Sequence, residues 1–202
     1  MNNVLLDPLP ITWESAQGEK FALDTDFRIG IQICLIQEDP DLSMPEKSQL
    51  IRELLFPEDV PDDFEDAVNF FMEGWHHDNP SSKKEKQRLM DFDVDQWRIY
   101  SAFYSQYRID LSTAELHWWT FMGMLSALTD CAYTRVIDIR QRKYRPKMDK
   151  EDRKALREAK EVYELKQPMS YEEKAFGEEM DDLLGISASE KRRIENFEKF
   201  GK

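Results

Sequence analysis

Side chains suited to bond-making chemistry are few in this chain. There are three histidines, His76, His77 and His117, and two cysteines, Cys34 and Cys131. His76 and His77 are adjacent, so on a helix they point about 100° apart and do not converge on one metal. Zinc held by His76, His77 and Cys34 would need a ligand spacing that the sequence does not offer. His117 stands beside Trp118 and Trp119, the setting of a hydrogen-bonded interior or boundary imidazole. Both cysteines sit among apolar helical residues, where thiols are inert. Asp91-Phe92-Asp93-Val94-Asp95 imitates the opening of a calcium loop, but Gln96 and Ala102 stand where such a loop needs Gly and Glu. The same acids suit a helix N-terminus, with Asp91 or Asp93 as cap. No glycine-rich phosphate loop, G-x-S-x-G elbow or H-E-x-x-H helix occurs. With 41 Asp and Glu side chains, carboxylate pairs arise by chance and carry no weight. The reading is non-enzymatic, with no catalytic residue, metal ligand or cofactor to assign.

The elements that would position these residues are mostly helices. A length of 202 residues suits one domain, or one domain with a terminal arm. Only 7 Gly and 9 Pro argue against a turn-dense β-sandwich, while 5 Trp, 7 Tyr and 12 Phe argue for a packed core. No apolar run approaches the roughly 20 residues that span a bilayer. The N-terminus lacks the basic and apolar regions of a signal peptide, and two cysteines give no disulfide framework, which suits a reducing compartment.

Leu9–Trp13 and Lys20–Leu23 flank Gln17-Gly18 and predict a short β-hairpin. Thr25 or Asp26 then caps a helix with Phe27, Ile31, Cys34 and Leu35 on its apolar face. Ser43-Met44-Pro45-Glu46 has capping-box spacing before Leu50, Ile51, Leu54 and Leu55. Asp62-Asp63 opens a third helix, with Phe64, Ala67, Val68, Phe71 and Trp75 on one face. Asn79–Lys84 reads as a linker. Ten aromatics fall between residues 92 and 133, with Trp97, Tyr100, Phe103, Tyr104 and Tyr107 at helical intervals. A turn around Ile109–Leu111 and a capping box at Ser112–Glu115 would open a nearly apolar helix from Leu116 to Leu128, antiparallel to the aromatic one. A further helix from Thr129 or Asp130 would end in Arg140, Arg142 and Lys143, cations suited to a helix C-terminus. Residues 149–166 predict a charged helix with Leu156, Val162, Tyr163 and Leu165 as its apolar positions. Beyond Pro168 come two shorter pieces, one with Tyr171, Phe176, Met180 and Leu183, the other with Ile194 and Phe197 behind Ser187–Glu190.

The fold class expected is therefore mainly α: a helical bundle with a small N-terminal β-hairpin and a charged C-terminal helical arm. Residues 1–80 form an acidic hairpin-plus-helix part. Residues 81–148 form the aromatic core of the same domain, joined through the linker at 79–84, and residues 149–202 form the arm.

Charge follows these divisions. The chain carries a net −13, of which residues 1–80 contribute −14, whereas residues 135–166 carry +5. An acidic half repels phosphate, so nucleic acid and membrane are disfavoured as partners. Only the basic segment 135–166 offers the opposite sign, and Tyr144 is the one aromatic among its first seven cations.

Four pieces in this order resemble the phage gene-product-fifteen family of siphophages and Gram-positive prophages. They are Leu23–Gln32 (with Thr25-Asp26-Phe27-Arg28), Asp95–Leu111, Leu116–Phe121 and Arg135–Arg140. The resemblance runs from about residue 4 to about residue 166. It implies a tail-module protein encoded between the tube and tape-measure proteins, and hence a tail assembly chaperone. Such a chaperone coats the tape-measure protein in the host cytoplasm and is absent from the mature virion. The tape-measure protein is the implied partner, with the tail tube protein as a second and a homo-oligomer compatible with coating a long client. Partner contact is assigned to Trp118, Trp119, Phe103, Tyr107, Asp26 and Arg28. Adjacent tryptophans on a helix cannot face one way, so one of them is expected to line a groove. Asp26 and Arg28, two apart on a helix, are not expected to pair locally. The alternatives are a structural tail or neck component retained in the virion, and a nucleic-acid binder using residues 135–166.

Overall fold

Gly18 takes a positive φ of 84°, which a Cβ would strain, and turns the chain between two short antiparallel strands. These are β1 (Thr12–Glu14) and β2 (Lys20–Ala22), with Trp13 opposite Phe21. The Ser15 hydroxyl accepts from the Gln17 and Glu19 N–H groups and closes the turn. The computed structural model describes residues 4–74, 88–165 and 170–183. Among them eight helices follow the hairpin: α1 (Phe27–Glu38), α2 (Met44–Leu55), α3 (Phe64–Glu73), α4 (Gln96–Tyr107), α5 (Trp118–Ser126), α6 (Ala132–Gln141), α7 (Lys150–Tyr163) and α8 (Tyr171–Leu183). The fold is a mainly helical bundle with an N-terminal hairpin. Trp75, His76, His77, the segment 79–84 and the piece from Ser187 to Phe197 lie outside the described residues.

The closest helix approaches are α1 with α2 and α5, and α6 with α4 and α7. α4 and α5 meet through side chains instead, with Phe103 stacked on Phe121 at 5.1 Å and the Tyr107 hydroxyl donating to the Met124 carbonyl. Phe121 also stacks on Phe27 of α1 at 4.8 Å, so it lies where three helices converge. Removing such rings from water is the main favourable term in a bundle of this kind.

Local signals hold where their partners are close in sequence. Ser43 and Glu46 form the capping box of α2: the Ser43 N–H and hydroxyl both donate to the Glu46 carboxylate, and the hydroxyl bond chiefly holds that carboxyl below its usual range. Phe64, Ala67, Val68 and Phe71 form the buried face of α3. Asp26, not Thr25, caps α1, and Asp149 caps α7.

Four expectations need correction. α1 buries Phe27, Gly30 and Ile33, while Leu35 is exposed, because the Trp118 ring packs at Gly30 where a side chain would otherwise stand and sets the rotation of the helix. The Ser112–Glu115 box starts no helix. Asp110 turns this stretch by accepting from the Ser112 N–H and hydroxyl, and Leu116–Trp118 then runs alongside Thr25–Phe27, with Phe27 N–H bonded to Leu116 O and Trp118 N–H to Thr25 O. α6 begins at Ala132, with Cys131 as cap, because Asp130 is in the left-handed region at φ 44°.

The fourth correction concerns Asp95 and Arg140. Asp95, rather than Asp91 or Asp93, occupies the cap position of α4, and it is fully buried. Arg140 is 2% exposed and is no solvated helix-end cation. Its guanidinium bonds both Asp95 oxygens at 2.5 and 3.1 Å, the Leu89 carbonyl at 2.8 Å and the Tyr163 carbonyl at 2.7 Å. One side chain thus joins α6 to the start of α4 and the end of α7.

Candidate functional site

The aromatic stripe of α4 divides into two faces. Ile99, Ala102 and Phe103 point inward, on the side from which Asp95 reaches Arg140. Trp97, Tyr100 and Tyr104 therefore turn outward, with Trp97 73% and Tyr104 53% exposed. Trp97 meets Tyr100 edge-on at 5.7 Å, and Tyr100 stacks near-parallel on Tyr104 at 6.5 Å. This ledge borders an open cleft of about 360 Å³ between α4 and α1, with Phe27, Ile31, Phe92, Trp97, Tyr100 and Leu111 among its walls. Rings and branched aliphatics dominate the walls, and Gln96 and Ser112 add neutral polar groups. None of these wall residues carries a charge.

Asp26 and Arg28 fix one wall of this cleft. Asp26 lies just outside α1, so the spacing rule for residues within a helix does not apply, and the two side chains do pair. The Asp26 carboxylate accepts from the Arg28 N–H at 2.9 Å and from its guanidinium at 3.1 and 3.2 Å. The same guanidinium donates to the carbonyls of Leu111 and Ala114 at 2.9 and 3.0 Å. Asp110 completes the anchor by accepting from the Tyr100 hydroxyl at 3.1 Å. Its bonds from Ser112 chiefly hold the Asp110 carboxyl below its ordinary range, and that carboxylate raises the Tyr100 hydroxyl. Leu111 and Ser112 are thereby held at the rim.

The two tryptophans diverge, as adjacent helical residues must, but packed helices receive both, Trp118 between α1 and α3 and Trp119 on α3. Trp118 is 1% exposed, lying on Gly30 and near Phe71 and Phe92. Trp119 is also buried, edge-on to Phe70, with its indole N–H donating to the Phe71 carbonyl at 2.8 Å. Neither lines an open groove in this conformation, because α1 and α3 close over them. Phe103 is fully buried, and Tyr107 is half-buried with its hydroxyl satisfied inside. Trp97, Tyr100, Ile31 and Leu111 were not among the residues assigned to partner contact from sequence. The helical spacing of the stripe was visible, but not which side of it faced out.

His117 serves architecture. Its Nδ1 accepts from the Trp119 N–H at 3.0 Å, capping α5, while Nε2 bonds the Pro10 carbonyl at 3.0 Å. Those partners define the neutral Nε2–H tautomer, and burial lowers the imidazole pKa from its ordinary 6.5. Burial also pushes the Cys34 thiol up to about 12, so it is protonated and unreactive at neutral pH. Among the described residues no group of His, Cys, Asp and Glu gathers as a metal site, and no helix is long and apolar enough to cross a membrane.

Fold and site together define a mainly helical protein with an open aromatic cleft. Residues 5–165 match the family model described as Bacteriophage Gp15 protein, and the chain belongs to that family. No curated protein and no solved structure matches it.

Proposed function

We propose that this non-enzymatic tail assembly chaperone of the Gp15 family holds the tape-measure protein by seating one apolar helix face in the α1–α4 cleft. The observation that carries the reading is the ledge of exposed Trp97 and Tyr104 with half-buried Tyr100 between them, beside an apolar cleft that Trp97 and Tyr100 line. A client helix offers its i, i+3, i+4 and i+7 residues to such a groove, and aromatic side chains that become desolvated at the centre of the contact carry most of the binding energy. The contact needs no cofactor. Reversible binding in the bacterial cytoplasm, release as tube protein polymerises, and absence from the finished particle complete the proposal.

Co-expression with the tape-measure protein from the same phage tests it. Trp97→Ala with Tyr100→Ala is expected to lower co-purification at least tenfold, about 1.4 kcal/mol, with the far-ultraviolet spectrum unchanged. Retention of the client by that variant would exclude the cleft. Quantitative mass spectrometry of infected-cell lysate and purified virions separates this reading from a structural one. Abundance in lysate alone supports a chaperone, whereas stoichiometric presence in particles would make the protein a tail or neck component.

A further inference from the structure

The molecule carries two exposed patches of opposite sign, and no ion pair among the described residues joins them. Lys150, Arg153, Lys154 and Arg157 recur at i, i+3, i+4 and i+7, so they share one face of α7. With the exposed ring of Tyr144 they line an open cleft of about 520 Å³. The pairs Lys154–Glu158 and Arg157–Glu161 are loose, both 3.8 Å long and solvent-exposed, so a partner's carboxylates can replace them at small cost. The opposite patch lies at the junction of α2 and α3. Residues 53–66 hold seven acidic side chains and no basic one. Glu53, Glu58, Asp59, Asp62, Glu65 and Asp66 are all exposed, and Val60 is exposed among them. The Arg52 guanidinium stacks over the Phe64 ring at 3.9 Å, drawing the end of α2 to the start of α3 so that these carboxylates share one corner.

We infer that the basic face of α7 on one copy docks on the acidic α2–α3 corner of a second copy. Charge complementarity selects this occupant: residues 1–80 carry a net −14 and residues 135–166 a net +5 in the same chain. Tyr144 and Val60 add an apolar contact within the two charged surfaces. Because the two patches differ, the contact is heterologous. Each pairing leaves one basic and one acidic patch open at its ends, so association propagates into a ring or a helical array rather than stopping at a dimer. This inference goes beyond the client reading and does not depend on it, since the α1–α4 cleft takes no part.

Sedimentation velocity of the full chain at tens of micromolar, from about 20 mM to about 500 mM salt, tests the contact, because screening shortens severalfold across that range. The expected result is assembly at low salt that dissolves at high salt. Two variants, K150Q/K154Q/R157Q and E58Q/D59N/D62N, are each expected to sediment as monomers at low salt with unchanged thermal melting. Their equimolar mixture should give a one-to-one dimer and nothing longer, because each retains one working patch. A wild-type monomer at low salt, variants that still assemble, or a mixture that stays monomeric would each overturn the inference. So would retention of wild type on DNA or RNA that the lysine–arginine variant loses while self-assembly is unaffected, which would reassign the face to nucleic acid.

Discussion

Arg140 shows how much one side chain contributes to this fold. Asp95 is fully buried and also accepts from Arg98, yet Arg140 supplies its bidentate counter-charge and the link to α7. Burying two charges is costly, and the pair returns that cost only while both members are present. Arg140→Met is therefore expected to destabilise the protein by about 3–5 kcal/mol, read as the shift in the urea midpoint at neutral pH. Arg140→Met with Asp95→Asn is expected to cost less than the single change at Arg140, because no uncompensated carboxylate remains. Nearby Tyr133 feels the same environment: burial first, then the Asp95 carboxylate, push its hydroxyl up to about 12, so it stays protonated throughout such an experiment.

At the level of elements, the join between α1 and α5 depends on an absent methyl group. Glycine inside a helix costs about 1 kcal/mol relative to alanine, so Gly30 needs a tertiary reason. A Cβ there would lie 2.2 Å from Trp118 Cε3 and 2.3 Å from Cδ2, in a ring already enclosed by Phe71, Phe92 and Phe121. Gly30→Ala is expected to lower stability by about 1–3 kcal/mol through overpacking. With Trp118→Leu already in place the same change should cost nothing, since the obstructing ring is gone and alanine favours the helix. A thermodynamic cycle of the four proteins by chemical unfolding measures this coupling. The result would also show that the tryptophan serves the core. Trp97, on the exposed side of α4, is the residue whose loss should affect binding and leave stability nearly unchanged.

On the scale of the whole molecule, α7 packs on α6, whereas α8 is peripheral to the bundle. Phe176 is 65% exposed, Tyr171 and Met180 are also exposed, and the Lys174–Asp41 ion pair ties α8 to the loop before α2. A chain ending at residue 165 is expected to keep a single cooperative unfolding transition, with its midpoint shifted by no more than about 1 kcal/mol in stability, as calorimetry or urea titration would show. Much of the architecture is legible in the residue string because its causes are local. Gly18 needs its positive φ, Ser43 and Glu46 reach each other across one turn, and the period of Phe64, Ala67, Val68 and Phe71 already defines a buried face. The segregation of charge into acidic and basic stretches is likewise a property of the chain alone. What only the tertiary structure decided is the rotation of each helix about its own axis. Trp97 faces water because Asp95 must meet Arg140 forty-five residues away. Trp118 and Trp119 are both buried because α1 and α3, distant in sequence, supply Gly30 and the Phe71 carbonyl on either side of them. A turn stands at Ser112 in place of the expected helix start: Asp110 accepts from the Ser112, Thr113 and Ala114 N–H groups, and Leu116–Trp118 then pairs with Thr25–Phe27. Capping and periodicity act over about four residues, whereas the contacts that choose between helix faces span the whole chain.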